Sequence, residues 1–396
     1  MDVLIIGGTG VISYAVVNES LKQGHHVTCI NRGKSRSQRL PDKIEHIVAD
    51  YRNPRLMEEK LADRHFDVIV DFLCMTPKDI TYSVNLFKDK CDQYIFISSC
   101  AVYNAEARNG GVYDEDAPKV TRVWSYSVNK VASEKKLAEL GKRYHLNYTI
   151  TRPAVTYGNT RIPYGITPPY GYHGTLIQRL LRGKPIISWD GGQGYINITR
   201  VEDYAIGFVG LFGNPKAFNE AFNIVGDETP NWNKVINTTA ELLGVKPYII
   251  DITSKQFAHE IPTRRGEILG GRAAKQKCSN TKLKKVVPAF KTNIHLREGI
   301  KRTLDYYMEN DYLYGIDYKF DGDWDRIAAK YDKNYKPKFI DYLGHACQQD
   351  IRDYENAFNR DMRMERMKVA LAPYYHKIRH TAKVILVGLK LYKPKG

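Results

Sequence analysis

Short apolar runs recur along the first half of the chain: Val3–Ile6, Val27–Ile30, His46–Val48, Val68–Val70, Tyr94–Ile97 and Thr149–Thr151. Between them, apolar and polar residues mix at helical spacing, the longest such stretch running from about Trp124 to Tyr144. Strands alternating with helices predict an α/β fold, a doubly wound parallel sheet with right-handed crossovers. In such a sheet a ligand lies across the carboxyl ends of the strands, so those ends carry the functional information.

The first strand runs directly into Gly7-Gly8-Thr9-Gly10-Val11-Ile12, after which the pattern turns helical. Gly7 permits a tight turn, Gly10 removes the side chain that would block a pyrophosphate, and the helix from Ile12 points free N–H groups at the anion. This is the strand–turn–helix context of a Rossmann dinucleotide site. The second strand ends at Asn31-Arg32, where an NAD-binding unit carries an acid for the ribose hydroxyls; Arg32, with Lys34, Arg36 and Arg39 near it, would instead attract a 2′-phosphate, so NADP is favoured over NAD. A plain basic surface loop is the competing reading. The third strand ends at Asp50-Tyr51, where Asp50 could accept from an adenine amino group, cap the helix near Pro54, or do both. Phe72, after the fourth strand, is expected beneath the cofactor. The fifth strand ends at Ser98-Ser99-Cys100-Ala101, with a hydroxyl placed to touch a substrate.

Tyr126 and Lys130 stand four apart in the long predicted helix and so share one face. An ammonium beside a phenol favours the phenolate, and Tyr126 then becomes a general acid or base near neutral pH. Alone, Tyr-x-x-x-Lys is a common surface pair; its place downstream of Ser99 gives it weight.

Together these residues resemble the extended short-chain dehydrogenase/reductase family, the group of NAD(P)-dependent nucleotide-sugar epimerases, dehydratases and reductases. Arg152-Pro153…Tyr157-Gly158, Val201-Glu202-Asp203-Tyr204-Ala205 and Phe222-Asn223-Ile224-Val225-Gly226 extend the resemblance over roughly the first 300 residues. It implies Ser99, Tyr126 and Lys130 as the catalytic trio: Ser99 on the sugar oxygen, Tyr126 moving its proton, Lys130 holding the nicotinamide ribose. Where the family's dehydratases carry an acid pair this chain has Cys100 and Ala101, which argues against dehydration and leaves them as substrate contacts. Val155 and Ile196 replace an Asn and an Arg of many relatives; Arg200 is the candidate substitute at the diphosphate, and Arg264 resembles a later diphosphate-binding arginine of the family. His173 ends a Tyr-, Pro- and Gly-rich segment, 159–173, where relatives build a substrate lid; it is either a second proton donor or a packed surface histidine, the latter the more common fate of a lone His.

The resemblance also implies a homodimer. Three regions are expected: a dinucleotide-binding Rossmann domain over 1–158, a substrate-binding region over 159–317 interleaved with late sheet elements, and a basic α-helical C-terminal extension over 318–396, with amphipathic helix from Trp324 to Arg366. Half of the +16 net charge lies beyond residue 359. That basic segment, with the apolar run Val384–Val387, is read either as a peripheral contact with an anionic membrane through 360–396 or as a helix packed on the body. Six dispersed cysteines and a first strand at the N-terminus suit a reducing cytoplasm with no metal site and no signal peptide. The expected activity is an epimerase or ketoreductase on a nucleotide-activated sugar. Two alternatives remain: RNA binding on the same scaffold, since Asn-Arg-Gly also resembles a branch containing chloroplast RNA-binding proteins, and a non-catalytic interaction module. Nucleic acid is not the expected partner, because an RNA binder has no need of Ser99, Tyr126 and Lys130.

Overall fold

The computed structural model describes residues 1–34, 38–104, 111–120 and 122–372. Its centre is a seven-stranded parallel sheet. β1 (Asp2–Ile6), β2 (His26–Asn31), β3 (Glu45–Val48), β4 (Phe66–Asp71) and β5 (Cys91–Ile97) are joined by Tyr148–Pro153 and Glu220–Ile224. Across the sheet the order is Glu220–Ile224, Tyr148–Pro153, β5, β4, β1, β2, β3. The chain leaves β1 in one direction, through β2 and β3, and returns to β4 on the other side. The reversal falls between β1 and β4, where open α/β sheets bind their ligands.

Continuous apolar runs become strands here because both faces of the sheet are covered. Val3 and Ile5 enter one core with Val16 and Val17 of helix α1 (Val11–Lys22) and Tyr204 and Phe208 of the helix Val201–Val209. Leu4 and Ile6, one step out of phase, enter the other with Ile80, Val84 and Phe87 of α3 (Pro77–Phe87) and Leu137 and Leu140 of α4 (Ser125–Tyr144). Each such side chain contributes about 1.5–3 kcal/mol on leaving water. Thr76 and Asp79 cap α3 reciprocally. His145, in the left-handed region at φ 54°, ends α4.

A third core gathers Trp189, Trp232, Phe257 and Ile300 around two short parallel strand pairs, Val155–Tyr157 with Ile198–Arg200 and Ile186–Trp189 with Ile249–Ile252. The helix Tyr318–Tyr331 sends Phe320, Trp324, Ile327 and Ala328 into this same core, which is thus continuous across residue 318. The amphipathic stretch from Trp324 onward is divided among the helices Tyr318–Tyr331 and Gln348–Phe358 and a further helical segment over 362–372, with an irregular link between the first two that contains Pro337 and Gly344, the latter at φ 74°. The apolar run Val384–Val387 and most of the basic tail lie outside the described residues. Among the described residues no helix is long and apolar enough to cross a membrane.

Candidate functional site

The turn after β1 forms because its glycines adopt backbone angles that side chains resist. Gly7 and Gly8 lie at φ 116° and 90°, and a Cβ on Gly8 would meet the Cys29 sulfur at 3.0 Å. Gly10 caps α1, and Ser13 Oγ accepts the Gly10 N–H at 2.9 Å, closing the start of the helix on itself.

A crevice runs over this turn in two connected parts. One cavity, of about 430 Å³, is bounded by Gly7, Thr9, Asn31, Arg32, Lys34, Asp50, Tyr51 and Arg52. The other, of about 680 Å³, shares Gly7, Thr9 and Leu73 with it and continues along Gly10, Val11, Ile12 and Phe72 to Ser99, Ala101, Tyr126 and Lys130. Asn31 is fixed by donating to the Gly7 carbonyl (3.1 Å) and accepting the Gly33 N–H (2.8 Å), leaving Arg32 exposed at the rim. Asp50 accepts the Arg52 N–H (3.0 Å), whereas Asn53 takes the N-cap of α2 (Pro54–Leu61); the capping role weighed for Asp50 belongs to its neighbour. Arg36 lies outside the described residues.

At the far end Ser99 and the Tyr126 phenol are within hydrogen-bonding reach. Ser99 Oγ also accepts the Ala101 N–H at 3.1 Å, which orients it. The Lys130 ammonium lies 5.9 Å from the Tyr126 ring centroid and donates to the carbonyls of Cys74 (2.8 Å) and Ile97 (2.7 Å). Burial lowers its pKa to about 8. Burial also raises that of Tyr126, against the Ser99 hydrogen bond and the positive charges of Arg272 and Arg161. Two arginines supply the field, and Lys130 is held by carbonyls one step away.

Behind Ser99, Glu134 accepts from Ser98 (2.6 Å) and from both Nε and Nη2 of Arg152 (2.8 Å each), all buried. Burial alone would raise the Glu134 pKa, but the guanidinium outweighs it and holds the carboxyl below its ordinary value. This bidentate pair is a rigid backing for the Ser98-Ser99 strand end.

Four residues expected at a substrate are placed elsewhere. Cys100 is fully buried with its thiol on the Arg152 carbonyl (3.2 Å), facing away from the cavity that Ala101 lines. His173 is buried; its Nδ1 accepts the Ile162 N–H (3.2 Å), and burial lowers its pKa to about 3, so it is a neutral structural imidazole. Arg200 is buried against Glu202, Asn159, Thr303 and the Gly299 carbonyl. Arg264 faces Glu267 at 3.7 Å, outside the cavity wall. In each case the sequence shows the right residue type but not which way it faces.

The cavity instead holds Arg161, Arg272, Glu267, Gln276, Trp124 and Tyr170. Trp124 lies 4.8 Å, centroid to centroid, from Tyr126. Its side chain rests on Gly270 and Gly271, where an added Cβ would come within 2.9 Å of the Trp124 Cβ and 3.0 Å of the indole, and these belong to a single π-helical turn, Ile268–Arg272, that carries Arg272 to the cavity. The only local signal for Arg161 is its place three residues after Tyr157-Gly158, and for Arg272 the preceding Gly270-Gly271.

A parallel α/β sheet with a glycine turn, a crevice across its switch point and a Ser–Tyr–Lys cluster at the end of that crevice defines a dinucleotide-binding protein of short-chain dehydrogenase/reductase type. Residues 3–225 match the model of the NAD dependent epimerase/dehydratase family, and the chain belongs to that family. The chloroplast stem-loop binding protein of 41 kDa b from Arabidopsis thaliana is 28% identical over 270 residues, 64% of this chain and 67% of that protein. A UDP-N-acetyl-alpha-D-glucosaminuronate decarboxylase of Bacillus cytotoxicus is 25% identical over 78% of this chain and 98% of its own length. Among solved structures, an epimerase of Methanothermobacter thermautotrophicus superimposes with a TM-score of 0.65 at 17% identity, covering 79% of this chain and 93% of that one. The UDP-glucuronic acid 4-epimerase of Bacillus cereus, solved with UDP-glucuronic acid and NAD, gives 0.62 at 20% identity, covering 78% and 99%. These likenesses establish the fold.

Proposed function

We propose that this protein is an NAD(P)-dependent epimerase or ketoreductase acting on a nucleotide-activated sugar. The observation that carries the reading is one continuous crevice with Gly7 and Gly10 along its floor and Ser99, Tyr126 and Lys130 at its end. The crevice suits a dinucleotide: side chains are missing where a pyrophosphate would approach, and α1 presents its N-terminus there. When bound, the dinucleotide supplies the hydride acceptor or donor. Ser99 hydrogen-bonds the reacting oxygen. Tyr126 removes the proton from that hydroxyl, or returns it, as the oxygen passes between alcohol and ketone. Lys130, with three donors and two taken by carbonyls, has one left for the cofactor's ribose. Arg32 and Lys34 beside Asn31 favour NADP, and exchangeable NADP in turn favours net reduction over epimerisation. With neither Cys100 nor Ala101 able to do a carboxylate's work, dehydration is not proposed.

The test is twofold. Nucleotide extracted from purified protein, or tritration with each dinucleotide, is expected to show NADP preferred, with the preference lost in Arg32→Ala. Tyr126→Phe is expected to lower turnover of a responsive nucleotide sugar by about 10²–10⁴-fold while leaving dinucleotide affinity unchanged. Unaltered turnover in Tyr126→Phe would remove the phenol from the chemistry.

The Arabidopsis relative's name supports a second reading, stem-loop RNA binding, for which this chain has the charge: +16 overall. RNA affinity that falls steeply with salt, in a protein whose dinucleotide is never reduced by any ketosugar or sugar alcohol, would favour it.

A further inference from the structure

The last described stretch of chain, 362–372, is helical and lies on the surface of the molecule. Arg360, paired with Asp323 at 3.4 Å, ties its start to the helix Tyr318–Tyr331. Asp361 caps it, with Oδ1 accepting the N–H groups of Arg363 (2.8 Å) and Met364 (3.4 Å). At helical spacing Met362 and Val369 share one face, and both are half-buried. Met364, Met367 and Leu371 share the opposite face, within about 60° of one another around the axis. They are 46%, 48% and 52% exposed. Arg363 stands about 40° to one side of this apolar stripe and Lys368 about 40° to the other. The two acids of the segment are turned to other uses: Asp361 to the cap, and Glu365, on the half-buried side, to Lys368 at 4.0 Å. Beyond the helix, residues 373–396 carry six Lys/Arg and no Asp or Glu.

We infer that 362–372 is an interfacial helix that lays Met364, Met367 and Leu371 among the headgroups of an anionic membrane, with Arg363 and Lys368 on the phosphates at either side. Charge selects this occupant. A second copy would bring Arg363 and Lys368 against their own like, and the chain after 372 would bring six further cations to the same seam; like charges oppose both pairings. The face calls for an anionic partner. The combination of apolar residues and flanking cations also recurs further along, where Lys383 and Lys390 bracket Val384–Val387. One continuous surface, apolar within and anionic at its edge, takes both segments whatever their relative placement, whereas an acidic protein would need two matched grooves. The contact is peripheral, since among the described residues no helix is long and apolar enough to cross a membrane.

Flotation of the full chain tests this, with vesicles of phosphatidylcholine alone and of phosphatidylcholine and phosphatidylglycerol in equal parts. Binding to the mixed vesicles is expected to be at least about tenfold stronger than to the neutral ones, and to weaken as salt is raised. Met364→Ser, Met367→Ser and Leu371→Ser together are expected to weaken it about tenfold, and Arg363→Gln with Lys368→Gln by a similar factor. Both variants are expected to keep the unfolding midpoint and the dinucleotide affinity, because the changes fall on an exposed face away from the crevice. Equal binding to the two kinds of vesicle, or binding to neither, would overturn the inference. Undiminished binding by the Met/Leu variant would move the contact beyond residue 372 and overturn its assignment to this helix. Soluble polyglutamate bound as tightly as the mixed vesicles would give the face to an acidic polypeptide instead. A dimer in sedimentation velocity that the Met/Leu variant abolishes would give it to a second copy.

Discussion

At the scale of single residues, burial decides which ionisable groups take part in chemistry. Tyr126 and Lys130 sit at the cavity wall, each with its charged form disfavoured by burial and partly restored by neighbours. At His173 burial and the positive charges of Arg161 and Arg264 outweigh the one compensating contact, a hydrogen bond to the backbone of Pro168. The ring's pKa is about 3 in the folded chain against an ordinary 6.5, so the unfolded chain takes up a proton first as the pH falls. The stability that goes with this difference is fully present above about pH 6.5. It is lost at up to about 1.4 kcal/mol per pH unit as the pH falls toward 3. Urea unfolding at pH 7, 6 and 5 is expected to show a shallower acid-side slope in His173→Gln than in the unmodified protein; identical slopes would remove His173 from the acid response. Residue type was legible in the sequence at Ser99, Tyr126 and Lys130 because neighbours in the chain fix their faces. The direction a side chain faces was not legible at His173 and Arg200, whose partners Ile162 and Thr303 lie at spacings that no local pattern encodes, nor at Arg264, whose i,i+3 partner Glu267 is local but whose place outside the cavity wall is not.

At the scale of elements, the strand ends and the glycine turn are where the sheet's alternation predicts them. The start of α4 is different. Trp124 is its N-cap without a side-chain hydrogen bond, and Val123 before it is held at φ 86°, a conformation that β-branched residues resist. Val123 is exposed, so its side chain gains little from burial to offset this. What fixes the backbone is the seat of Trp124 on the π-helical turn that carries Gly270 and Gly271. Val123→Gly relieves about 1–2 kcal/mol of strain and forfeits about 0.5–1 kcal/mol through a freer unfolded chain. A net stabilisation of about 0.5–1 kcal/mol is expected in chemical denaturation; a destabilised variant would show that the valine is not strained. The long helix was legible from its periodicity. The tense turn before it was not, because it is imposed by glycines some 140 residues away.

At the scale of the whole molecule, the C-terminal helices are tied to the body by buried charge. Arg179 pairs with Asp321 and, at 2.9 Å, with Asp325; Lys184 reaches both at 2.7 Å; all four are essentially inaccessible. Tyr342 and Tyr354 donate to the same aspartates at 2.7 Å. Arg179→Met leaves Lys184 as the one cation for two buried carboxylates and is expected to cost about 3–5 kcal/mol, read as a fall in the midpoint of chemical unfolding. A loss below 1 kcal/mol would mean that the aspartates find other partners. The sequence shows these residues as an amphipathic, charged stretch and so suggests an added helix; aspartates in a helix read as solvent-facing until their partners, some 140 residues earlier, are known.

The neutrality of that interior is shared between two distant stretches of chain, and neither stretch is neutral by itself. A protease that cuts the exposed loop around residue 310 would therefore nick the molecule without shedding its end, and the two fragments would part only in denaturant. For the same reason a change at Asp321 or Asp325 is felt at the helix that carries Arg179.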